Sequence, residues 1–556
     1  MLAMIFIWIY IFCLSYLYGR VFLDGLAGWL NLRHGKQEFP LVILAGLISI
    51  TTIGSFLSLM TKIGLLANSI LLVGAFAILF RKKSPLKLRL PDWSVFSWFV
   101  LGLTILVVLE NATHAPTNPD TAIYHAQTIR WIETYRVVPG LGNLNPRLAF
   151  NSSWLLLNAL FGFAFLGGRS FHLAGSAFFL AFSVYSIAGL DKLLKRDFRL
   201  GNWVRVALLP LGLYTMGSEL SSPGTDFPVI LIIWMMVALC LEMLEDDDFQ
   251  MDERIVLLFV APLFAFTIKI SALPLLLFSA GVLVIGWRAR RFGWALRLVG
   301  LGFLLLSPWL FRNVVLSGYL IFPVPQPLVF GFDWRVPYSV VLEQSQTIRY
   351  FARGVNAQLP GGGFAWVPGW WVIQTVNQRI IFALALLTPL TLPGLWFLRN
   401  KLNLLNRKLG SYLAVWFVAY LGLLFWFLTA PAFRFGYGFI LGALLLAFLP
   451  YVAAFGNRVS AERVWVPAMT ACLVAVFVGI VLFNSFDPGT LSERLVLPAD
   501  YLPSHAQTCQ LDLQTLFCAK EFRQCGYQAF PCVPFVKRWT EMRGETFQYG
   551  FRSLSH

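Results

Sequence analysis

Polar side chains able to do chemistry are scarce in this chain and collect in a few stretches. The densest runs from Thr113 to Ser153, THAPTNPDTAIYHAQTIRWIETYRVVPGLGNLNPRLAFNSS, and holds Asp120, Tyr124 and His125. A carboxylate there either takes a proton from a hydroxyl as a general base or caps a helix. An amphipathic surface helix with Ile123, Ile129, Trp131 and Ile132 on its apolar side starts directly after Asp120. Further candidates stand at the ends of apolar segments: Asp226 in SELSSPGTDFP, Lys269 in FTIKISALP, Arg312 in SPWLFRN and Arg434 in TAPAFRFGYG. Singly, capping accounts for Asp226 and snorkelling to the interface for the cations. Brought together, they suit an anionic, lipid-linked substrate. Arg312, Lys269 and Arg434 would hold its phosphate, arginine by paired hydrogen bonds and lysine as a point charge. On α-helical geometry His125, five residues beyond Asp120, is turned roughly 140° from it. It is then a supporting or acceptor-binding group, with Tyr124 and Asp226.

The elements that must position these groups are membrane helices. Of 556 residues 58% are hydrophobic and 13% charged, against about 25% charged in a soluble domain. Apolar runs recur along the chain, and the alternation of a membrane β-barrel is missing. The first, Leu2 to Leu17, lacks a basic leader and a small-residue cleavage site, and is expected to be a retained helix. The formal net charge of +16 comes from short clusters such as RKKSPLKLR, DKLLKRDFR, WRARR and RNKLNLLNRK. That is the positive-inside pattern of cytoplasmic loops, so nucleic acid is not an expected partner.

Apolar length predicts crossings at residues 2–18, 41–60, 63–80, 95–110, 171–190, 203–217, 228–243, 254–268, 271–287, 295–310, 379–397, 411–428, 435–454 and 464–484. About fourteen spans with both termini outside result. The apolar stretch 152–167 does not fit, because a crossing there would put DKLLKRDFR outside. It is expected to be re-entrant or in-plane on the outer face. Chemistry then belongs to the outer loops, chiefly 111–151 and 311–378, and to the tail from 485 to 556. The division is N-terminal helices 1–94, a membrane module 95–484 and an extracytoplasmic tail 485–556.

Cys13, Cys240 and Cys472 lie in apolar segments as small hydrophobes. Cys509, Cys518, Cys525 and Cys532 crowd into the tail, and their even number predicts two disulfides of open connectivity. A four-thiolate zinc site is the rival, but no C-x-x-C pair occurs. Gly361 to Trp371, GGGFAWVPGWW, reads as a lid or sugar-stacking platform, or as an aromatic belt anchor. No P-loop, dinucleotide fingerprint or H-E-x-x-H motif occurs, so no soluble cofactor is expected. A divalent cation is conceivable only if folding brings Asp120 and Asp226 together.

An acidic residue on a surface helix, a later SPGTD loop and PWLFRNVVLSGYLIFP after a membrane helix together resemble the GT-C superfamily. Its members are polyprenyl-phosphate-sugar-dependent glycosyltransferases. More narrowly, NPDTAIYHAQTIRWIETYRVVPGLGNLNPRLAFNSSW, TIKISALPLLL, APAFRFGYG and FPCVPF are similar to a group of bacterial multi-pass membrane proteins without an assigned activity. The resemblance covers residues 95 to 540. It implies an all-α GT-C-like bundle, a polyprenyl-phosphate-linked sugar as donor, and a glycan, lipid or protein acceptor at the outer face of the bacterial cytoplasmic membrane. Asp120 matches the family's general base in an inverting transfer. Two departures stand out: many members carry an acidic pair where this chain has Pro119-Asp120, and the three helices before residue 95 are additional. A transporter of lipid-linked sugars and a non-catalytic envelope assembly protein are the alternatives. A transporter would favour ionisable groups mid-helix rather than at helix ends.

Overall fold

The computed structural model describes residues 1–556 except 34, 36, 82–90, 247–250, 356–361, 463–464, 504, 521–523, 537–538 and 555–556, and only the backbone at 403–404, 459–462 and 465–466. Most of the basic loop RKKSPLKLR and Gly361 of the glycine-rich loop therefore lie outside the described residues.

Each apolar segment folds as a helix, because in hydrocarbon only a helix satisfies every backbone polar group within one segment. Among the described residues ten are long and apolar enough to cross a membrane: Leu2–Leu30, Phe39–Met60, Val95–Ala112, Ala174–Leu194, Asp226–Glu245, Ile270–Arg288, Phe292–Ser317, Leu405–Thr429, Phe433–Arg458 and Pro467–Ser485. The pair Val376–Leu386 and Thr388–Leu398, bent by 51°, makes an eleventh if it is one span. At the other three expected crossings there are helices, but they fall short of a span: Leu65–Arg81 has 17 residues, and Leu200–Thr215 and Glu253–Ile268 have 16 each. At 1.5 Å per residue they rise only about 24–26 Å, under the roughly 30 Å hydrocarbon thickness.

The 152–167 stretch contains no helix long enough to cross. Ser153–Leu160 is eight residues, all buried, and begins where the Ser152 hydroxyl accepts from Trp154 N–H at 3.3 Å. Phe163, in the left-handed region at φ 56°, then separates it from the short helix Ala164–Gly167.

Lipid is as apolar as leucine, so helix association leans on close packing of small residues. A Cβ on Gly19 would lie 2.0 Å from Val42 O, and one on Gly46 1.8 Å from Ser15 O, so the first two helices touch backbone to backbone. Trp8 Nε1 donates to Ser176 at 2.9 Å, and the helices before residue 95 share one apolar core with the rest.

Apart from short helical turns at Pro488–Thr490, Leu491–Arg494 and Phe547–Tyr549, the regular structure of the tail is strand. Ala506–Leu511 and Gln514–Ala519 form an antiparallel hairpin around Asp512, Cys532–Val533 adds a parallel strand, and Thr540–Met542 pairs with Phe551–Ser553. The all-α expectation thus holds for the bundle and is corrected for the tail. Both disulfides are present and local, Cys509–Cys518 and Cys525–Cys532. Trp131 of the surface helix packs edge-on against Phe530, Phe547 and Phe551 and so seats the tail on residues 126–134.

Candidate functional site

Asp120 ends the loop that leaves the helix Val95–Ala112. Asn118 shapes that loop: its Oδ1 accepts from Asp120 N–H at 2.9 Å, and its Nδ2 donates to Glu219 at 2.7 Å. Thr121–His125 is a π-turn, closed by Ala126 N–H on Thr121 O. A π-turn is wider than an α-turn, about 4.4 residues per turn, so residues five apart are turned by only roughly 50°. His125 therefore lies on Asp120's side, which corrects the 140° separation expected of an α-helix. Asp120 makes no capping hydrogen bond with its side chain. Its carboxylate pairs instead with Arg434 at 2.8 Å.

Arg434 is the second residue of the helix Phe433–Glu462, where the dipole disfavours a cation. Carboxylates hold it there, since Arg434 Nε also lies 3.8 Å from Asp226. Asp226 is the first residue of its own helix and Lys269 directly follows Ile268, positions the dipole favours for each sign. The Lys269 ammonium pairs with Asp226 and sits 3.7 Å from the centroid of the Phe435 ring. Four separate elements thus build an alternating row, Asp120, Arg434, Asp226, Lys269. Side-chain exposures of 23% for Asp120 and 34% for Arg434 leave that end of the row open to a ligand.

Burial pushes the Asp120 carboxyl up, but Arg434, with Lys269 behind it, outweighs burial and holds the group below its ordinary value. Burial lowers His125 to about 4, despite the pull of Asp120. The imidazole is neutral at pH 7, so Arg434 and Lys269 supply the attraction on Asp120. Both His125 ring nitrogens are buried without a hydrogen-bond partner among the described residues. Tyr124, edge-on to His125 at 4.3 Å, is held as a neutral phenol by burial and by Asp120 and Asp226.

Two members of the site escaped sequence reasoning, Asn118 and Glu219. Burial, then repulsion from Asp226, raises the Glu219 carboxyl to about 8, so it is mostly protonated at pH 7. A Cβ on Gly224 would lie 1.6 Å from Glu219 Oε2, which explains the glycine of SPGTD. The available signal was the N-P-D turn and a lone glutamate close to a Pro-Gly pair.

Arg312 does not join this row. Its Nε donates to Asn151 Oδ1 at 3.0 Å and its Nη1 to the Ser58 hydroxyl. The sequence grouped it with Lys269 and Arg434 because all three mark helix ends; direction around the bundle separates them. The guanidinium of Arg434 stands between Asp120 and Asp226, where a shared cation would sit. Among the described residues no three His, Cys, Asp or Glu side chains are placed to hold a metal ion.

The aromatic loop packs inward. Trp366 and Trp370 are buried against Phe382, Trp426 and Phe433, and Trp370 Nε1 donates to Pro431 O at 2.8 Å. Trp426 Nε1 binds Ala432 O at 2.8 Å, so these indoles fix the PAFR turn that aims Arg434. Trp366 and Trp370 are therefore not free to stack on a ligand, whereas Phe364 and Trp371 of the same stretch are exposed.

The tail closes over the π-turn. Cys525 and Gly526 N–H groups both donate to Ala122 O at 2.9 Å. Gln127 donates to Gly526 O and Ala529 O at 2.9 and 2.7 Å and accepts from Cys532 N–H at 3.0 Å. The Cys525–Cys532 loop is thereby bolted to the segment that carries Asp120 and His125.

Fold and site together define a polytopic helical membrane protein with a row of alternating charges at its helix ends under a disulfide-bonded tail. A family model described as a domain of unknown function, DUF8201, matches residues 1–441, and the chain belongs to that family. The match takes in the whole row of charges and the helices before residue 95. No curated protein and no solved structure matches the chain.

Proposed function

We propose that the chain is an inverting membrane glycosyltransferase that moves a sugar from a polyprenyl-phosphate donor to a hydroxyl of an envelope glycan, lipid or protein. The reaction takes place at the outer face of the bacterial cytoplasmic membrane. The observation that carries this reading is the pairing of Asp120 with Arg434, in contact with Asp226 and Lys269. A base and two cations stand side by side at helix ends.

In the resting site Arg434 neutralises Asp120 and weakens it as a base. A donor phosphate competes for the guanidinium, which binds phosphate in paired hydrogen bonds, while Lys269 adds a point charge. Drawing Arg434 toward the phosphate raises the basicity of Asp120 at the moment the donor is bound. Asp120 then takes the acceptor hydroxyl proton as the acceptor oxygen bonds to the anomeric carbon. The anomeric carbon–phosphate oxygen bond breaks with its electron pair, and polyprenyl phosphate leaves, its charge stabilised by Arg434 and Lys269. Neutral His125 and Tyr124 and protonated Glu219 add no charge and line the acceptor side.

The test is transfer itself. Purified chain, a panel of radiolabelled polyprenyl-phosphate sugars and membrane extract as acceptor should yield labelled product and free polyprenyl phosphate with at least one donor. Failure of every donor, in preparations whose tail disulfides are intact, would overturn the reading.

A further inference from the structure

Among the described residues the buried arginines are Arg205, Arg312 and Arg494. Arg205 is held between Glu38 and Glu242, each at 2.7 Å, and Arg494 by Glu110 at 2.9 Å. Arg312, 4% exposed, differs: its partners are the amide oxygen of Asn151 and the hydroxyl of Ser58, and it pairs with no carboxylate among the described residues. Neutral acceptors do not cancel a buried charge, and a charge taken out of water without a counter-ion is strongly unfavourable.

Arg312 lines a cleft between the surface helix Ala126–Thr134 and the end of the helix Phe292–Ser317. The cleft opens to solvent. Trp131 lines it too, 2% exposed, and its indole N–H has no acceptor among the described residues. Exposed Arg136 adds a second cation at the rim, with the rings of Tyr135 and Phe150 alongside. Glu133, the nearest carboxylate in sequence, is engaged elsewhere, accepting from Ser170 at 2.6 Å and Tyr527 at 2.9 Å.

We infer that this cleft binds a phosphoryl group at a site separate from the Asp120 row. Nη2 of Arg312 and the indole N–H of Trp131 have no protein acceptor among the described residues, Arg136 adds a cation at the rim, and a phosphate supplies both acceptors and the missing negative charge. The phosphoryl group is carried either by an anionic lipid headgroup or by a soluble phosphate.

The full chain in phosphate-free maltoside micelles is titrated with inorganic phosphate at fixed ionic strength, and in a second arm with phosphatidylglycerol. The thermal unfolding midpoint is the readout, because a ligand bound only by the folded state raises it. Wild type should respond in at least one arm; a response to phosphate marks a soluble ligand, and one to phosphatidylglycerol alone marks a lipid. Arg434→Gln, which removes the row's own phosphate-binding arginine, should still respond, and adding Arg312→Met to that variant should abolish the response. Arg136→Gln, a surface change, should weaken the apparent affinity by about tenfold. No response of wild type in either arm would overturn the assignment, as would a response that Arg434→Gln removes or that the double variant retains. Should Arg312→Met not fold, unchanged affinity in Arg136→Gln overturns it and a weakened one supports it.

Discussion

Replacing Gln127 by leucine should unbolt the tail from the surface helix. Gln127 is 1% exposed and makes three hydrogen bonds across the contact, at 2.9, 2.7 and 3.0 Å. Leucine has nearly the same volume and no polar atoms, so the variant leaves Gly526 O, Ala529 O and Cys532 N–H without a partner. A buried unsatisfied group costs roughly 1–3 kcal/mol, but Ala529 is only half-buried and water recovers part of that at its carbonyl. A local loss of about 3 kcal/mol is therefore expected, which corresponds to roughly 100-fold more frequent opening of the Cys525–Cys532 loop. Hydrogen exchange followed by mass spectrometry on the 524–533 segment reads this directly, because the amides of Cys525, Gly526 and Cys532 are the ones held. The hairpin Ala506–Leu511 with Gln514–Ala519 bonds to itself and serves as the internal control. Unchanged protection at 524–533, or equal loss in the hairpin, would refute the bolt as drawn.

Glu219 should make stability depend on pH in a defined direction. Its carboxyl is raised to about 8 in the folded chain from an ordinary 4.5, so between those values the native state holds a proton the unfolded chain has released. Stability therefore falls as pH rises through that window, and Glu219→Gln should remove that part of the fall in unfolding midpoints measured from pH 5 to 9. Gly224→Ala places a Cβ 1.6 Å from Glu219 Oε2 and should lower stability by about 1–3 kcal/mol, and Glu219→Ala in the same chain should relieve much of it. Peptide mapping without reductant should recover Cys509 joined to Cys518 and Cys525 joined to Cys532, with Cys13, Cys240 and Cys472 as free thiols; any crossed pairing would contradict the tail structure.

The candidate site was legible in the sequence where position along a helix was the deciding cue. Asp120, Asp226, Lys269 and Arg434 are charges at the ends of apolar segments, and a bundle with all such ends in one plane brings several together. What that cue lacks is the angle around the bundle, which is why Arg312 was grouped with them although it faces Asn151 and Ser58. His125 was displaced for another reason: a π-turn at Thr121–His125 depends on the tail amides that take up Ala122 O, and those lie some 400 residues away. Glu219 carried no periodicity to mark it, and its raised pKa follows from burial that only the assembled bundle produces. The helices themselves were found because apolar length is written locally. Their ends and the short 152–167 segment depend on breaks such as Phe163, an aromatic residue in a backbone region that sequence rules reserve for glycine and asparagine.

The catalytic reading rests on one carboxylate, and one substitution isolates it. Asp120→Asn keeps the size of the side chain, removes the ability to take a proton and frees Arg434 from its partner at 2.8 Å. Sugar transfer from the productive polyprenyl-phosphate donor should fall by about 10²–10⁴-fold, while donor affinity stays equal or tightens because the phosphate no longer competes for the guanidinium. An Asp120→Asn chain that transfers sugar at the wild-type rate would contradict the assignment of Asp120 as the base.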